Sequence, residues 1–211
     1  MTKVYKLTTQ DNKTRKGFSN ECTWGPGVTH RGTGKGELCG PGFIHAYLSP
    51  ELAAFLNPVH AAILNPKLWE CETTITKNDR DLKVGGISLT TVREVSLPNP
   101  STRQRVVFAI LCSCAAGFSE PTWDKWANAY MDNDAAARAA AAATYAYAAY
   151  AAARAADAAA GAATYAAAAR AADADARAAR AATYAAADAR DVDVDADFDL
   201  VKIAKQAMEY E

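Results

Sequence analysis

The sequence predicts an α+β protein, in which a small mixed or antiparallel sheet domain with helices is followed by an alanine-rich helical hairpin or bundle. Two observations predict this class. Residues 1–130 contain short β-branched segments, proline-started helices and many glycines, whereas residues 134–190 contain 37 alanines. We therefore expect an α+β ligand-binding domain at 1–130, alanine-rich helices at 131–190, and an acidic linker with a C-terminal helix at 191–211.

Four stretches of the first 100 residues are typical of β structure. Residues 4–7 and 43–48 are short apolar runs, and residues 68–76 alternate between apolar and polar side chains. The pair Gly85-Gly86 indicates a turn. Residues 87–97 then predict one or two further strands, which end at the prolines that follow.

Helices are predicted where a capping residue precedes an apolar stretch. Ser49 as N-cap and Pro50 in the first helical position begin a helix over residues 51–56. Because the residue before a proline disfavours helical backbone, Pro58 is expected to end that helix. A second short helical piece is then expected over residues 59–64.

Three more helices are expected towards the C-terminus. Ser101 caps a helix over residues 103–116 that is apolar nearly all round, so it belongs to the core. Ser119 caps the next one, whose Trp123, Trp126 and Tyr130 lie at i, i+3 and i+7. An amphipathic helix follows Phe198.

Residues 25–42 contain seven of the twelve glycines. Long loops in compact domains are usually functional or disordered. The segment Gly32-Thr33-Gly34-Lys35-Gly36 has the composition of a phosphate loop, but it lacks the required Gly four residues ahead and the Ser or Thr after Lys. It is therefore not a Walker loop.

The alanine-rich tract predicts helix, because alanine has the highest helix propensity and only Gly161 interrupts it. Tyr145, Tyr165 and Tyr184 recur at spacings of 20 and 19 residues. At about 100° per residue these tyrosines do not share one face of a straight helix. We expect two helices that meet near Gly161 and pack on the front domain or on a second copy of the chain, giving a homo-oligomer.

Charge and cysteine content bound the class of protein. Residues 1–130 carry 15 Lys and Arg against 11 Asp and Glu, a net charge of +4, and the remainder carries 8 against 13, a net charge of −5. A front half this weakly basic suits a nucleotide or phosphate ligand and predicts no nucleic-acid partner.

No apolar run without charges reaches the about 20 residues of a membrane span, and no secretory signal precedes Tyr5. The 5 cysteines have no metal-like spacing, and we expect Cys112 and Cys114 to be small buried apolar residues. These features predict a reduced cytoplasmic protein without a membrane partner or metal.

Two segments of the front domain resemble the core of ADP-ribosyltransferase-like proteins, which include RNA 2′-phosphotransferases. Residues 28–33 are similar to that family's His-x-Gly-Thr-like strand. Residues 36–50 are similar to its strand with a Tyr or His, a Ser and a short helix. The resemblance implies a fold that grips an NAD-type nucleotide between two small sheets.

Residue roles follow from this resemblance alone. His30 would contact the ribose, Tyr47 or His45 would stack on nicotinamide, and Glu94 would be the catalytic Glu. The predicted ligand-binding residues are His30, Arg31, Thr33, Lys35, His45 and Tyr47. His30 has an alternative role as a hydrogen-bond donor to a loop carbonyl, His45 could face solvent, and His60 is expected at a helix start.

The chain as a whole also resembles bacterial and phage proteins of unknown activity that have an alanine-rich tail. Three functions are open. The first is binding of a nucleotide-type ligand, derived from NAD or ADP-ribose or a cyclic nucleotide, as a counter-defence sponge in the host cytoplasm if a phage encodes it. The second is an ADP-ribosyltransferase or phosphotransferase-like enzyme. The third is an interaction protein that acts through the alanine-rich helices.

Overall fold

A computed structural model describes residues 1–38, 40–79, 81–115, 121–132 and 199–210. In these residues it contains seven strands and four helices, which confirms the α+β class. The strands are β1 (Thr2–Thr8), β2 (Lys13–Thr14), β3 (Cys22–Thr23), β4 (Thr29–Arg31), β5 (Ile44–Ala46), β6 (Lys67–Asp79) and β7 (Lys83–Val95). The helices are α1 (Pro50–His60), α2 (Thr102–Ala115), α3 (Pro121–Met131) and α4 (Leu200–Ala207).

The chain divides into two compact units. Met1–Asn99 and Asp199–Val201 form the first, which contains every strand named above. The second contains α2, α3 and residues 202–210. Apart from residues 131 and 132, the expected domain at 131–190 lies outside the described residues, as do most of the expected acidic linker and the expected break near Gly161.

The main sheet is antiparallel and has the order β1-β6-β7-β4, with β5 also paired to β7. Tyr5 and Tyr47 exchange both of their backbone hydrogen bonds at 2.8 Å. This exchange joins Tyr47, the residue that follows β5, to β1. The sheet is therefore curved, so that β1 and the end of β5 meet. β2 and β3 form a separate two-stranded pair.

The inner face of the curved sheet holds the core of the first unit. Lys6 and Val4 lie on this face, because Val4 pairs with the buried Cys71 and side chains two residues apart share a face. Burial of this apolar surface is the main stabilising contribution. The core residues are Val4, Trp24, Ala46, Trp69, Cys71, Val84 and Leu89.

The helix α1 packs against β1, and its start confirms the sequence prediction. Ser49 Oγ accepts a hydrogen bond from Leu52 N at 3.1 Å, and Pro50 occupies the first turn. The apolar residues of the helix that become buried are Leu52, Ala53, Ala54, Phe55 and Leu56.

The predicted end of this helix was wrong, because α1 continues through Pro58 to His60. Pro58 lies in the last turn. Asn57 O accepts bonds from the amides of Ala61 and Ala62, and the Asn57 side chain bonds both backbone groups of Ile63. These bonds close the helix after Pro58. The separate helix expected over residues 59–64 does not form, since Ala62 has a φ of 49°.

The turn predicted at Gly85-Gly86 was also wrong, since both glycines lie inside β7. The chain reverses between β6 and β7 instead, where Leu82 N bonds Asp79 O and Asp81 has a φ of 64°. A Cβ on Gly86 would overlap Thr73 Oγ1, and one on Gly85 would overlap Leu38 Cδ1. Close packing, and not chain reversal, requires these glycines.

The second unit contains the helices expected near its start. α2 begins with a capping box in which Gln104 N bonds Ser101 Oγ at 3.2 Å and Ser101 N bonds Gln104 Oε1 at 2.8 Å. Gln104 Nε2 also donates to Met208 O at 2.8 Å. Cys112 is buried as expected, but Cys114 is exposed because it lies on the other side of the helix.

In α3 the expected aromatic stripe forms. Trp126 lies 5.0 Å from Trp123 and 5.4 Å from Tyr130, measured between ring centroids. Trp123 and Tyr130 are buried, and Trp126 is half-buried. None of the described helices is long and apolar enough to cross a membrane.

Candidate functional site

The sheet separates the predicted ligand-binding histidines. His30 is opposite Leu89, a residue of the inner core. His45 lies between Ile44 and Ala46, which pack in or against the same core. Because alternate side chains of a strand point to opposite faces, His45 and Tyr47 lie on the outer face and His30 on the inner one.

His30 serves the structure of the loop before it. Its Nε2 donates to Thr23 O at 2.8 Å, because a carbonyl can only accept. The imidazole meets the edge of Trp24 with 4.5 Å between ring centroids. These contacts match the alternative role of His30 as a donor to a loop carbonyl.

The glycine-rich loop folds onto itself and onto β7. Gly32 N bonds Ile87 O at 2.7 Å, and Gly34 N bonds Gly42 O at 2.9 Å. A Cβ on Gly32 would overlap Gly42 O, and one on Gly42 would overlap Lys35 O. Close backbone contact therefore explains several glycines of the loop without a bound anion.

Three of the predicted binding residues are exposed on or beside this loop, namely Arg31, Thr33 and Lys35. Thr33 Oγ1 accepts a bond from Lys35 N at 3.4 Å. Gly34 leaves room for the side chain of Ile87, whose Cδ1 would lie 3.3 Å from an added Cβ. The loop thus exposes two positively charged side chains, those of Arg31 and Lys35, to solvent beside Ile87 of β7.

Beneath the loop, His45 is half-buried and its Nε2 donates to Leu38 O. Burial lowers the pKa of His45 and outweighs the effect of this hydrogen bond. Since His45 is tied to Leu38, it does not face open solvent. The structure therefore differs from the alternative prediction, in which the side chain of His45 faces solvent.

Tyr47 is buried, and the ring of His60 lies parallel to it. The centroids are 6.1 Å apart and the planes differ by 8°. Burial raises the pKa of Tyr47, so the phenol is protonated at neutral pH. An aromatic residue predicted to stack on a nicotinamide ring thus already has an imidazole beside it.

His60 is the functional candidate that sequence reasoning missed. It was expected at a helix start, but it is the last residue of α1. Its Nδ1 is buried and has no hydrogen-bond partner in the described structure. The sequence does contain an indication of this position. Residues 52, 56 and 60 lie at i, i+4 and i+8, so they would share one face of a continuous helix.

The electrostatic surroundings of His60 are mainly positive. The pKa of His60 is lowered to about 4, mainly by burial and also by the charge of Lys83, and Asp79 partly opposes this shift. Lys83 Nζ lies 3.8 Å from Asp79 Oδ2 and its side chain is largely buried. His60 is therefore neutral at pH 7 and can either donate or accept through Nδ1, depending on its tautomer.

Lys77 adds a second positive group to this end of the sheet, with its Nζ 5.8 Å from the centroid of Phe43. Lys77 pairs with Gly85 across β6 and β7, and Gly85 pairs with His45 across β7 and β5. We call His45, Tyr47, His60, Lys77 and Lys83 the outer cluster.

Glu94, the predicted catalytic residue, lies far along β7 from the outer cluster. It is paired with Trp69, its side chain is 51% exposed, and its Oε2 lies 3.6 Å from Lys67 Nζ. Nine residues separate it from Gly85, which is about 30 Å along an extended strand. The structure does not bring Glu94 to His45 or Tyr47.

Within the described part of the chain, no group of three His, Cys, Asp or Glu side chains could hold a metal ion. The buried thiol of Cys71 has a pKa raised to about 12 by burial, which leaves it protonated at neutral pH. A thiol in that state is a poor nucleophile. The outer cluster, on the other face of the sheet, can form hydrogen bonds and attract anions.

No protein-family model matches this chain, and no match to it is found among curated proteins or solved structures.

Proposed function

We propose that the Met1–Asn99 unit binds a small nucleotide-type ligand, derived from NAD or ADP-ribose or a cyclic nucleotide, at the outer cluster. The observation that carries this proposal is the buried Nδ1 of His60, which has no partner. A buried polar atom without a hydrogen bond costs about 1–3 kcal/mol, so such atoms are rare in native proteins and call for an explanation. A ligand that bonds Nδ1 would recover this free energy.

Charge favours an anionic ligand. Lys83 and Lys77 lie at the same end of the sheet as His45, and Arg31 and Lys35 are exposed on and beside the loop that runs over it. Ammonium and guanidinium groups bind phosphate oxygens through charge-assisted hydrogen bonds. Because His60 already lies against Tyr47, recognition in this conformation rests on hydrogen bonds and charge and not on stacking of a base on Tyr47.

Binding without turnover is the form of this function that the geometry favours. The transferase alternative needs a carboxylate beside the ribose, and Glu94 is paired with Lys67 about 30 Å along the strand from the cluster. In a phage-like setting, a binder that holds a host signalling nucleotide would act as a sponge.

Native mass spectrometry of the full chain purified from cells tests the proposal first, since it reports any retained small molecule. Calorimetry with NAD, ADP-ribose and cyclic nucleotides then measures affinity. His60→Phe keeps a ring beside Tyr47 and removes Nδ1, and we expect it to weaken binding about tenfold, which corresponds to about 1.4 kcal/mol. Lys83→Met should weaken binding by a similar factor.

Lys67→Met is the matched control, because Lys67 is a partly buried lysine of the same sheet that pairs with Glu94. It should bind as the wild type does. Binding that is unchanged in His60→Phe, or no binding of any nucleotide tested, would contradict the proposal. Turnover of labelled NAD that disappears in Glu94→Gln would instead establish the transferase alternative.

A further inference from the structure

The two lysines of the outer cluster lie in successive rows across the sheet. Lys83 is opposite Asp79 in the first row, and Lys77 is opposite Gly85 in the second. Two residues along each strand separate the rows, so Lys83 and Lys77 are diagonal neighbours on one face. Diagonal neighbours in an antiparallel pair are about 7–8 Å apart, a distance that long side chains can span. Both ammonium groups can therefore reach one ligand.

The first row contains the polar atom on which the proposed nucleotide site depends. The Nδ1 of His60 is buried without a partner in the described structure. Burial lowers the pKa of His60 most, and the charge of Lys83 contributes next, so the two side chains lie near each other. Lys83 Nζ lies 3.8 Å from Asp79 Oδ2, which is longer than a normal hydrogen bond. A single phosphate group can contact both His60 and Lys83.

The second row has positive charge beside an aromatic ring. Lys77 Nζ lies 5.8 Å from the centroid of the Phe43 ring, and the backbone of Lys35 packs against the residue before Phe43. Both lysines are exposed, and among the residues that the structure describes neither belongs to an ion pair. The loop at 25–42 has one acidic residue, Glu37, against Arg31 and Lys35. The second row is therefore a second place for phosphate oxygens.

We propose that the outer cluster recognises a diphosphate, with one phosphate at His60 and Lys83 and the other at Lys77 and Lys35. This inference rests on the proposed nucleotide site and narrows its ligand. Ammonium groups bind phosphate oxygens as point charges through charge-assisted hydrogen bonds. A diphosphate diester carries a negative charge on each of its linked phosphates, whereas a cyclic mononucleotide has a single phosphate. Derivatives of ADP-ribose and NAD therefore fit both rows, and cyclic mononucleotides fit only one.

The first test uses inorganic anions, which separate the diphosphate from the rest of a nucleotide. Calorimetry measures the binding of ADP-ribose to the full chain, and pyrophosphate or phosphate is then added as a competitor. We expect pyrophosphate to displace ADP-ribose at a concentration about tenfold lower than phosphate does. ADP-ribose should bind about tenfold more tightly than cyclic AMP. It should exceed adenosine 3′,5′-bisphosphate by a similar factor, because the phosphates of that compound are not linked to each other.

The second test removes one cation of the second row. Lys77→Met should weaken the binding of ADP-ribose about tenfold and change the binding of cyclic AMP by less than about twofold. Lys3→Met is the matched control, since Lys3 is an exposed lysine of the same sheet that lies 3.5 Å from Glu70. The control should bind both ligands as the wild type does. Because both lysines are exposed, we expect both variants to fold, and circular dichroism checks this.

The outcomes separate this inference from the proposed function on which it rests. Equal affinities for ADP-ribose and adenosine 3′,5′-bisphosphate would overturn the diphosphate assignment and leave the nucleotide site standing. Tighter binding of cyclic AMP than of ADP-ribose would do the same, as would an unchanged affinity for ADP-ribose in Lys77→Met. If none of these nucleotides binds the full chain, both the assignment and the proposed function are wrong.

Discussion

A single nitrogen, Nδ1 of His60, links the proposed ligand site to the stability of the first unit. Its position at the end of α1 buries it beside Tyr47 without a hydrogen-bond partner. The fold therefore holds an imidazole that resists protonation. Such a group makes the free energy of unfolding decrease as the pH falls.

We predict that acidification from pH 7 to pH 4 destabilises the wild-type chain more than His60→Phe. The pKa of His60 is about 4 in the folded chain and about 6.5 when unfolded. Between these values the unfolded chain binds more protons, so this contribution is complete above about pH 6.5 and is lost as the pH falls towards 4.

Urea denaturation at several pH values measures the effect. The free energy of unfolding of the wild type relative to His60→Phe should fall by an amount on the order of 2 kcal/mol over this range. His45 also has a lowered pKa and contributes in the same direction, but it is present in both proteins and largely cancels. Parallel pH profiles for the two proteins would contradict the prediction.

At this scale the sequence predicts the hydrogen bond of His30 as an alternative, but it does not predict the burial of His60 at the end of α1. The bond from His30 to Thr23 O was foreseen as an alternative, because a polar loop offers carbonyls to any nearby imidazole. The role of His60 depended on whether a helix continues through Pro58. The side chain of Asn57 stabilises the continued helix through hydrogen bonds to the backbone of Ile63. These bonds require the chain after the helix to fold back.

At the scale of elements, the hairpin of β6 and β7 shows how glycine can be misread. The sequence predicts a turn at Gly85-Gly86 because glycine pairs usually mark one. In the structure the register of the two strands shifts between Thr73 and Ile75, and Gly86 lies opposite Ile75. The irregularity brings the strands too close for a Cβ, and that contact is invisible in the sequence.

We predict that Gly86→Ala destabilises the protein by more than about 2 kcal/mol, because the new methyl group would overlap Thr73 Oγ1 and lie 3.0 Å from two backbone oxygens. The matched control is Gly25→Ala, whose Cβ would meet only Val28 Cγ2 at 3.7 Å. The control should change stability by less than about 1 kcal/mol. Chemical denaturation compares the two, and equal losses would show that the packing argument is wrong.

At the scale of the whole molecule, the sequence predicted the class of the fold and most of its elements but not the closure of the sheet. The strand pattern of β1 and β5 was visible, as was the capping of α1 by Ser49. The exchange of hydrogen bonds between Tyr5 and Tyr47 joins positions 42 residues apart. Alternation of side chains specifies which face is buried, and it does not specify which strand is the neighbour.

Every residue proposed for the nucleotide site lies within Met1–Asn99. No residue of the alanine-rich tract at 134–190 is among those proposed for that site. The remaining hypothesis assigns the activity to that tract, as an interaction protein or as the means of forming a homo-oligomer. The two assignments make different predictions for a chain without it.

We predict that deletion of residues 134–190 changes the affinity for the nucleotide that copurifies with the full chain by less than about threefold. The reason is that the ligand contacts proposed for His60, Lys83 and the glycine-rich loop are all retained. Calorimetry measures the affinity, and native mass spectrometry reports the number of copies in the assembly. If the shortened chain is monomeric and still binds the nucleotide, the tract is responsible for oligomerisation and the first unit for recognition. Loss of binding in a deleted chain that keeps the circular dichroism of the sheet would assign the function to the tract instead.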